Sequence, residues 1–238
     1  MDINGPISLS KIYARGNNAE GISLDNALAG GEDVVIKNST FSMNNTKGLF
    51  VYSTGLISLN DVTAIGNTAS HGLELDNFNG PKGVNIVKGN LHENGISGVS
   101  IETRGPVSIN TVTANGNSSH GVYVHGFSSA NADVTLSKVN TAWNGNTGIW
   151  LQYINNATIT LTNSVANGNG GQDADGLYIR GNNIDSSVTI SKSVFLGNYG
   201  NGIDLYETFI QTIVNTFSFG NDMDGDYTPD QVDTYIHN

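Results

Sequence analysis

Short apolar stretches alternate with polar residues along most of the chain, with the period of two that is typical of β-strands. One pattern, Gly-apolar-x-apolar, occurs eight times, at intervals of 27, 24, 26, 23, 27, 28 and 26 residues. Its glycines are Gly21, Gly48, Gly72, Gly98, Gly121, Gly148, Gly176 and Gly202. Strands that recur at such a spacing, with no helical segments between them, predict a solenoid in which every coil repeats the same strands.

A second pattern runs in phase with the first and ends on asparagine. Clear copies are VVIKNSTFSMN, ISLNDVTAIGN, VSINTVTANGN and VTISKSVFLGN. The asparagine recurs as Asn17, Asn44, Asn67, Asn94, Asn117, Asn144, Asn169, Asn198 and Asn221. We expect it to occupy a turn, where asparagine tolerates left-handed backbone geometry, and to bond through its side-chain amide to its copy one coil away.

The two patterns together predict an all-β chain, folded as a parallel β-helix of about eight or nine coils with about 26 residues per coil. Each coil would bury the apolar pair of its Gly-apolar-x-apolar segment, as in Ile22 and Leu24 or Leu73 and Leu75. The chirality of parallel crossovers favours a right-handed coil. We expect no α-helix longer than a cap.

The repeats resemble those of the pectate-lyase-like superfamily of right-handed parallel β-helices. Coils such as YSTGLISLNDVTAIGN, which alternate with coils that contain VVIKNSTFSMN, also resemble segments of large repeat-built bacterial surface proteins. The resemblance covers residues 5 to 221 and implies a β-helix over residues 1–221, followed by a separate tail at 222–238. It implies little about function, because the superfamily includes lyases, hydrolases, epimerases, tailspikes, adhesins and binding modules.

Side chains alternate along a strand, so two positions of each Gly-apolar-x-apolar segment should point outward. The first outward column is Ser23, Phe50, Glu74, Ser100, Tyr123, Trp150, Tyr178 and Asp204. The second is Asp25, Tyr52, Asp76, Glu102, His125, Gln152, Arg180 and Tyr206. The outward column of the other strand is mostly serine and threonine, including Thr160. Aromatic and ionisable side chains are therefore predicted to lie on one sheet.

The aromatic part of this surface suggests a carbohydrate-binding site. Sugar rings pack on aromatic faces, and their hydroxyls bond to polar groups at the rim. The candidate residues are Tyr123, His125, Trp150, Gln152, Tyr178 and Arg180. The alternative is that the stacked aromatic side chains only stabilise the sheet.

Catalysis on the same face would depend on carboxylates. Asp76 and Glu102 are predicted to lie one coil apart, with Glu74 beside them, and such a pair suits a glycoside hydrolase or a calcium-dependent lyase. A lyase also needs a base, for which Arg180 is one of the nearest options. The catalytic signatures of pectin-degrading hydrolases do not occur as a set, and solvated surface charge is the alternative for these carboxylates.

Five aspartates follow the last repeat, in the stretch DMDGDYTPDQVD. They are Asp222, Asp224, Asp226, Asp230 and Asp233. Alternate carboxylates supply the oxygen ligands that Ca²⁺ requires, which makes calcium the one candidate cofactor. Tyr227 stands where an EF-hand loop has glycine, and a solvated acidic linker is the alternative.

Charge and composition restrict the partners. The formal net charge is −11 and only ten residues are Lys or Arg, which disfavours nucleic acid. No apolar run reaches the roughly 20 residues of a membrane span. The start MDINGP has no apolar signal-peptide core, so the chain is either cytoplasmic or a segment of a longer exported protein. We expect the second, a segment that is secreted or held at the cell surface.

These observations favour a non-enzymatic extracellular module that binds a polysaccharide or cell-surface glycan, or that displays flanking domains of a larger protein. Two alternatives remain open. One is a polysaccharide lyase, hydrolase or epimerase that works on the same face. The other is a purely structural spacer of an adhesin.

Overall fold

A computed structural model of the chain describes residues 5–27, 32–126, 132–171, 173–181, 186–206, 210–221 and 234–237. Within these ranges the regular structure is entirely β. No helix in the described part of the chain has the length and hydropathy that crossing a membrane requires. The fold is a parallel β-helix of about eight coils, which confirms the prediction from the repeats.

Twenty-two strands build the coils. The first eleven are β1 (Ile7–Ser10), β2 (Tyr13–Arg15), β3 (Ile22–Asn26), β4 (Val34–Ser42), β5 (Leu49–Ser53), β6 (Ile57–Thr63), β7 (Leu73–Asn77), β8 (Val84–Asn90), β9 (Val99–Thr103), β10 (Val107–Thr113) and β11 (Val122–His125). The others are β12 (Val134–Ala142), β13 (Ile149–Gln152), β14 (Thr158–Thr162), β15 (Val165–Asn167), β16 (Leu177–Arg180), β17 (Ser187–Ser191), β18 (Val194–Leu196), β19 (Ile203–Tyr206), β20 (Ile210–Val214), β21 (Phe217–Phe219) and β22 (Thr234–His237).

The strands form two sheets that run along the axis of the helix. A sheet of nine strands has the order β22-β19-β16-β13-β11-β9-β7-β5-β3, and contains every Gly-apolar-x-apolar segment. A sheet of thirteen strands has nine of them in the order β1-β4-β6-β8-β10-β12-β14-β17-β20. The other four form a second part of the sheet, here called the second leg, in which β2 pairs with β4, β15 with β12 and β18, and β18 with β21. Every pairing is parallel, as expected when each coil places its strand beside the equivalent strand of the next coil.

The core lies between the sheets and consists of like side chains stacked on like. One column of the nine-stranded sheet is fully buried and runs Leu49, Leu73, Val99, Val122, Ile149, Leu177 and Ile203. The facing sheet contributes a matching column of buried aliphatic residues that includes Val34, Ile57 and Val84. This burial of alternate residues fixes the register, because a shift by one residue would expose the whole column.

The nine asparagines form one continuous hydrogen-bonded ladder. From Asn17 to Asn198, each side-chain Nδ2 donates to Oδ1 of the asparagine in the next coil, at 2.8 to 3.0 Å. The backbone N–H of each donates to the same Oδ1. Asn67, Asn94 and Asn117 are thus vertical neighbours, and the predicted ladder is confirmed.

The left-handed backbone position precedes the asparagine instead of coinciding with it, so that part of the expectation was wrong. None of the ladder asparagines has a positive φ. The residue before each one does, with φ between +54° and +70°: Gly16, Met43, Gly66, Glu93, Gly116, Trp143, Gly168, Gly197 and Gly220. Six of these nine residues are glycines, which adopt this conformation without strain, while the asparagine side chain is committed to the ladder.

The repeat glycines are required by close packing between coils. A Cβ on Gly72 would lie 2.7 Å from the carbonyl oxygen of Gly98 and 2.7 Å from the ladder amide of Asn94. Equivalent contacts surround Gly48 and Gly176. The glycine therefore lets the ladder side chain of the next coil pack against the backbone just before the strand of the nine-stranded sheet.

Candidate functional site

The outward surface of the nine-stranded sheet, here called the site face, carries both columns predicted from the sequence. Tyr123 pairs with Trp150 and Trp150 with Tyr178, while Asp76 pairs with Glu102. The register of the remaining strands extends each column over the whole sheet. Since the two columns differ by two residues along each strand, their side chains stand side by side on one surface.

Aromatic side chains form a half-buried row in the middle of the site face. The rings of Tyr123 and Trp150 lie 5.2 Å apart, and those of Trp150 and Tyr178 lie 5.9 Å apart. The hydroxyl of Tyr123 donates to Oε1 of Gln152 at 2.6 Å. These contacts stabilise neighbouring coils, and the part of each ring that remains exposed is available to a ligand.

His120 packs beside this row and is almost fully buried. Its ring makes an edge contact with Trp150 at 4.7 Å and stacks on Tyr123 at 5.7 Å. Nδ1 lies 3.3 Å from the carbonyl oxygen of Thr147 and must be the donor, because a carbonyl only accepts. Burial lowers the pKa of His120 to about 4. The imidazole is therefore neutral near pH 7, and Nε2 is its hydrogen-bond acceptor.

The strand ends beside the aromatic row carry His125 and Arg180. The His125 ring lies 5.3 Å from that of Tyr153, and burial lowers the pKa of His125 although the charge of Glu102 opposes the shift. The Arg180 guanidinium lies 5.5 Å from the ring of Tyr153 and 5.7 Å from the ring of Tyr206. Arg180 is thus held between two aromatic rings at the margin of the site face.

A concave pocket of about 340 Å³, here called pocket A, opens beside the aromatic row. It is lined by Asn146, Thr147, Trp150, Asp173, Asp175, Tyr178 and Asp204. Two aromatic rings and three carboxylates thus share one pocket. Such a combination of apolar faces and a few convergent polar groups is typical of small-molecule and saccharide sites.

Asp175 is the most perturbed titratable group of pocket A. The residue is 6% exposed, and its Oδ1 accepts a hydrogen bond from the backbone N–H of Asn201 at 2.7 Å. Burial raises the pKa of Asp175 to about 7, and the charges of Asp204 and Asp173 add to the increase while the Asn201 hydrogen bond opposes it. At neutral pH this carboxyl is therefore close to half protonated.

A second pocket, pocket B, of about 210 Å³, lies nearer the start of the chain. It is lined by Phe50, His71, Glu74, Leu75, Asp76, Ser100 and Glu102. Ser100 is only 7% exposed although its column points outward, and it stands between Glu74 and Tyr123 in that column. Glu74 forms a salt bridge of 2.8 Å with Lys47, whose ammonium also lies 4.1 Å from the Phe50 ring.

The structure divides the predicted site residues between two places. Tyr123, Trp150, Gln152 and Tyr178 lie together, with His125 and Arg180 at their margin, whereas Asp76 and Glu102 lie in pocket B. The five tail aspartates predicted to bind calcium lie outside the described residues. Within the described ranges, no group of three His, Asp or Glu side chains is arranged to hold a metal ion.

Sequence reasoning missed Asp175 and Thr147 as residues of the site. Both directly precede a repeat glycine, in a third column of the same face that also contains His71 and His120. Extending the pattern by one residue ahead of each glycine would have found them. Asp173 had no such signal, because it belongs to the connection that leads into the strand.

Comparison with known proteins identifies a protein of similar fold but assigns the chain to no family. No protein-family model matches the chain, and no curated protein matches it. Among solved structures, the chain is similar to the A-module of the mannuronan C-5 epimerase AlgE6 of Azotobacter vinelandii, with a TM-score of 0.50 and 17% sequence identity. The match covers 89% of this chain and 57% of that one, so this chain spans little more than half of the epimerase module. At this identity the likeness supports the parallel β-helix fold alone.

Proposed function

We propose that this chain binds a polysaccharide along its site face. The observation that carries the proposal is pocket A, where the partly exposed rings of Trp150 and Tyr178 stand beside polar groups that can bond to sugar hydroxyls. The A-module with a similar fold is named for its action on mannuronan, which agrees with a polysaccharide ligand.

An extended ligand fits the site face better than a single sugar. Pocket B begins at Phe50 and pocket A ends at Asp204, and their strands are six steps apart in the sheet. At a strand spacing of about 4.8 Å, the two residues are about 29 Å apart along the axis. The partly exposed ring of Tyr123 lies between the two pockets, so a polymer aligned with the axis would contact both pockets and this ring. A role at the cell surface or outside the cell agrees with such a ligand.

Trp150→Ala tests the proposal. We expect the wild-type chain to be retarded in native gels cast with at least one of chitosan, alginate, pectin or β-glucan, and Trp150→Ala to lose that retardation. The melting temperature should fall by several degrees, because Trp150 makes three ring contacts that contribute about 0.5 to 1.5 kcal/mol each. The chain should still fold, since the half-buried side chain leaves no core cavity.

Thr160→Ala is the matched control, since Thr160 points outward from the thirteen-stranded sheet and should affect neither retardation nor stability. Equal retardation of wild type and Trp150→Ala would rule out this site. No retardation of any variant in any gel would favour a structural spacer.

Acid–base chemistry on the bound polysaccharide is a second candidate function, which the protonation of Asp175 favours. A carboxyl whose pKa is raised by burial, with a second carboxyl beside it, is the arrangement that glycoside hydrolases use. If the chain cleaves glycans at pocket A, Asp175→Asn should abolish the release of new sugar ends. If cleavage occurs at pocket B, Glu102→Gln should do so instead. Activity that both variants retain would exclude both carboxylates.

A further inference from the structure

The site face is acidic in both of its pockets. Asp173, Asp175 and Asp204 line pocket A, and none of the described residues that line it is a lysine or arginine. Glu74, Asp76 and Glu102 line pocket B. Each of the two pockets also contains at least one aromatic ring, Trp150 and Tyr178 in pocket A and Phe50 in pocket B.

Lysine and arginine side chains near the site face already have partners, and four other lysines lie on the thirteen-stranded sheet. Lys47 forms a salt bridge with Glu74, and Arg180 stacks between Tyr153 and Tyr206. Four of the seven lysines instead occupy the bend between the two legs of the thirteen-stranded sheet, where all are exposed: Lys11, Lys88, Lys138 and Lys192. A polysaccharide rich in carboxylates would therefore meet like charge on the site face.

We infer that the glycan recognised by the site face carries free amino groups, so that an ammonium enters pocket A between its carboxylates and the rings of Trp150 and Tyr178. This inference rests on the proposed polysaccharide-binding function and gives its ligand a chemical class. An ammonium is attracted both to carboxylates and to the faces of aromatic rings. An acetylated amine has no charge and loses both attractions. A uronic acid is repelled.

Binding of an ammonium in pocket A also changes the protonation of Asp175. The groups that face this carboxyl are Asp173, Asp204, Tyr178 and the backbone N–H of Asn201. An added positive charge stabilises the ionised form of Asp175 and lowers its pKa, so the complex releases a proton near pH 6. A neutral sugar in the same pocket has no charge to cause this release.

Three hexasaccharides of equal length test the inference by titration calorimetry at pH 6: a glucosamine hexamer, an N-acetylglucosamine hexamer and a galacturonate hexamer. We expect the glucosamine hexamer to bind the full chain at least tenfold more tightly than its acetylated counterpart, and the galacturonate hexamer to bind most weakly. The binding enthalpy of the glucosamine hexamer should vary with the ionisation enthalpy of the buffer, as proton release requires.

Asp204→Asn removes one charge of pocket A and preserves the size of the side chain. It should weaken binding of the glucosamine hexamer about tenfold and leave any binding of the acetylated hexamer unchanged. Asp61→Asn, the same change on an exposed residue of the other sheet, should affect neither. If the acetylated or galacturonate hexamer binds as tightly as the glucosamine hexamer, the inference is wrong while polysaccharide binding stands. If none of the three binds and no gel retards the chain, the proposed function itself fails.

Discussion

At the scale of single residues, the environment of Asp175 separates it from the other carboxylates of the site face. The residue before it, Ala174, is fully buried, and Oδ1 would lie 2.8 Å from a Cβ placed on Gly200. The coil that follows thus packs directly against the carboxyl and excludes water from it. The cost of burying a charge, more than any single neighbour, holds the proton on Asp175.

The raised pKa of Asp175 predicts how stability depends on pH. The folded chain retains this proton up to about pH 7, whereas an unfolded chain releases it near the ordinary carboxyl value of 3.8. Between these values the folded state binds more protons, so this group makes the free energy of unfolding fall as pH rises, by at most about 1.4 kcal/mol per pH unit. Above pH 7 the contribution no longer changes.

Asp175→Asn isolates this effect, because asparagine keeps the oxygen that accepts from Asn201 and cannot ionise. We expect the variant to gain on the wild type in free energy of unfolding as pH rises, so that its advantage is larger at pH 8 than at pH 4.5. Urea unfolding at a series of pH values measures the difference. Parallel curves for the two proteins would show that Asp175 ionises normally in the folded chain.

At the scale of structural elements, the asparagine ladder joins the coils through a single type of side chain. Asn117 accepts at Oδ1 from the backbone and side chain of Asn94, and its Nδ2 donates to Asn144 and to the carbonyl oxygen of Leu91. It is 1% exposed, so water cannot replace these partners. Asn17, at the start of the ladder, is exposed and has a neighbour on one side only among the described residues.

Removing an asparagine side chain from the middle of the ladder should therefore lower the free energy of unfolding far more than removing the first one. Asn117→Ala leaves several buried polar groups without partners, at about 1 to 3 kcal/mol each, so we expect a loss of at least about 3 kcal/mol. Asn17→Ala should cost less than about 1.5 kcal/mol, the net value of an ordinary hydrogen bond. Guanidinium unfolding of both variants gives the comparison. Equal losses would mean that the ladder contributes little beyond its turn geometry.

At the scale of the whole molecule, every coil of the β-helix repeats the same strands and core positions, while the side chains that point outward differ from coil to coil. The outward positions of the nine-stranded sheet carry the row Tyr123, Trp150 and Tyr178 and the clustered carboxylates, and a bend in the thirteen-stranded sheet carries four lysines. Because each coil contacts mainly its neighbours, such changes leave the core column intact. The scaffold thereby supports a chemically distinct face without altering its own packing.

Both flanks of the predicted calcium-binding stretch are attached to this scaffold. Asn221 ends the described ladder, and Thr234 pairs with Ile203 in the nine-stranded sheet. Ca²⁺ bound by Asp222, Asp224 and Asp226 would stabilise the attached strand β22, by about 2.7 kcal/mol at a hundredfold excess over the dissociation constant. We therefore expect millimolar Ca²⁺, but not Mg²⁺, to slow amide exchange at Thr234–His237.

The triple variant Asp222→Asn, Asp224→Asn, Asp226→Asn is the control for calcium and should show the slow exchange in neither cation. Calorimetry that detects no heat with the wild-type chain, together with unchanged exchange at Thr234–His237, would leave the acidic linker as the explanation of this sequence.

The sequence by itself determined the fold, the register and the two outward columns. This was possible because every coil repeats the same local solution: a glycine where coils approach closely, an alternating apolar pair for the core, and an asparagine for the ladder. Tyr123, Trp150 and Tyr178 were therefore predictable as vertical neighbours from their distances to the repeat glycines alone.

Only the tertiary structure decided which outward residues share a pocket and how each titrates. Whether the carboxyl of Asp175 is ionised or protonated depends on the packing of the next coil. Asp173 lines pocket A from a connection whose sequence does not follow the repeat. The left-handed residue also proved to precede the ladder asparagine. The pocket linings and the titration of Asp175 depend on distances between coils and on desolvation, which arise from packing and have no period in the sequence.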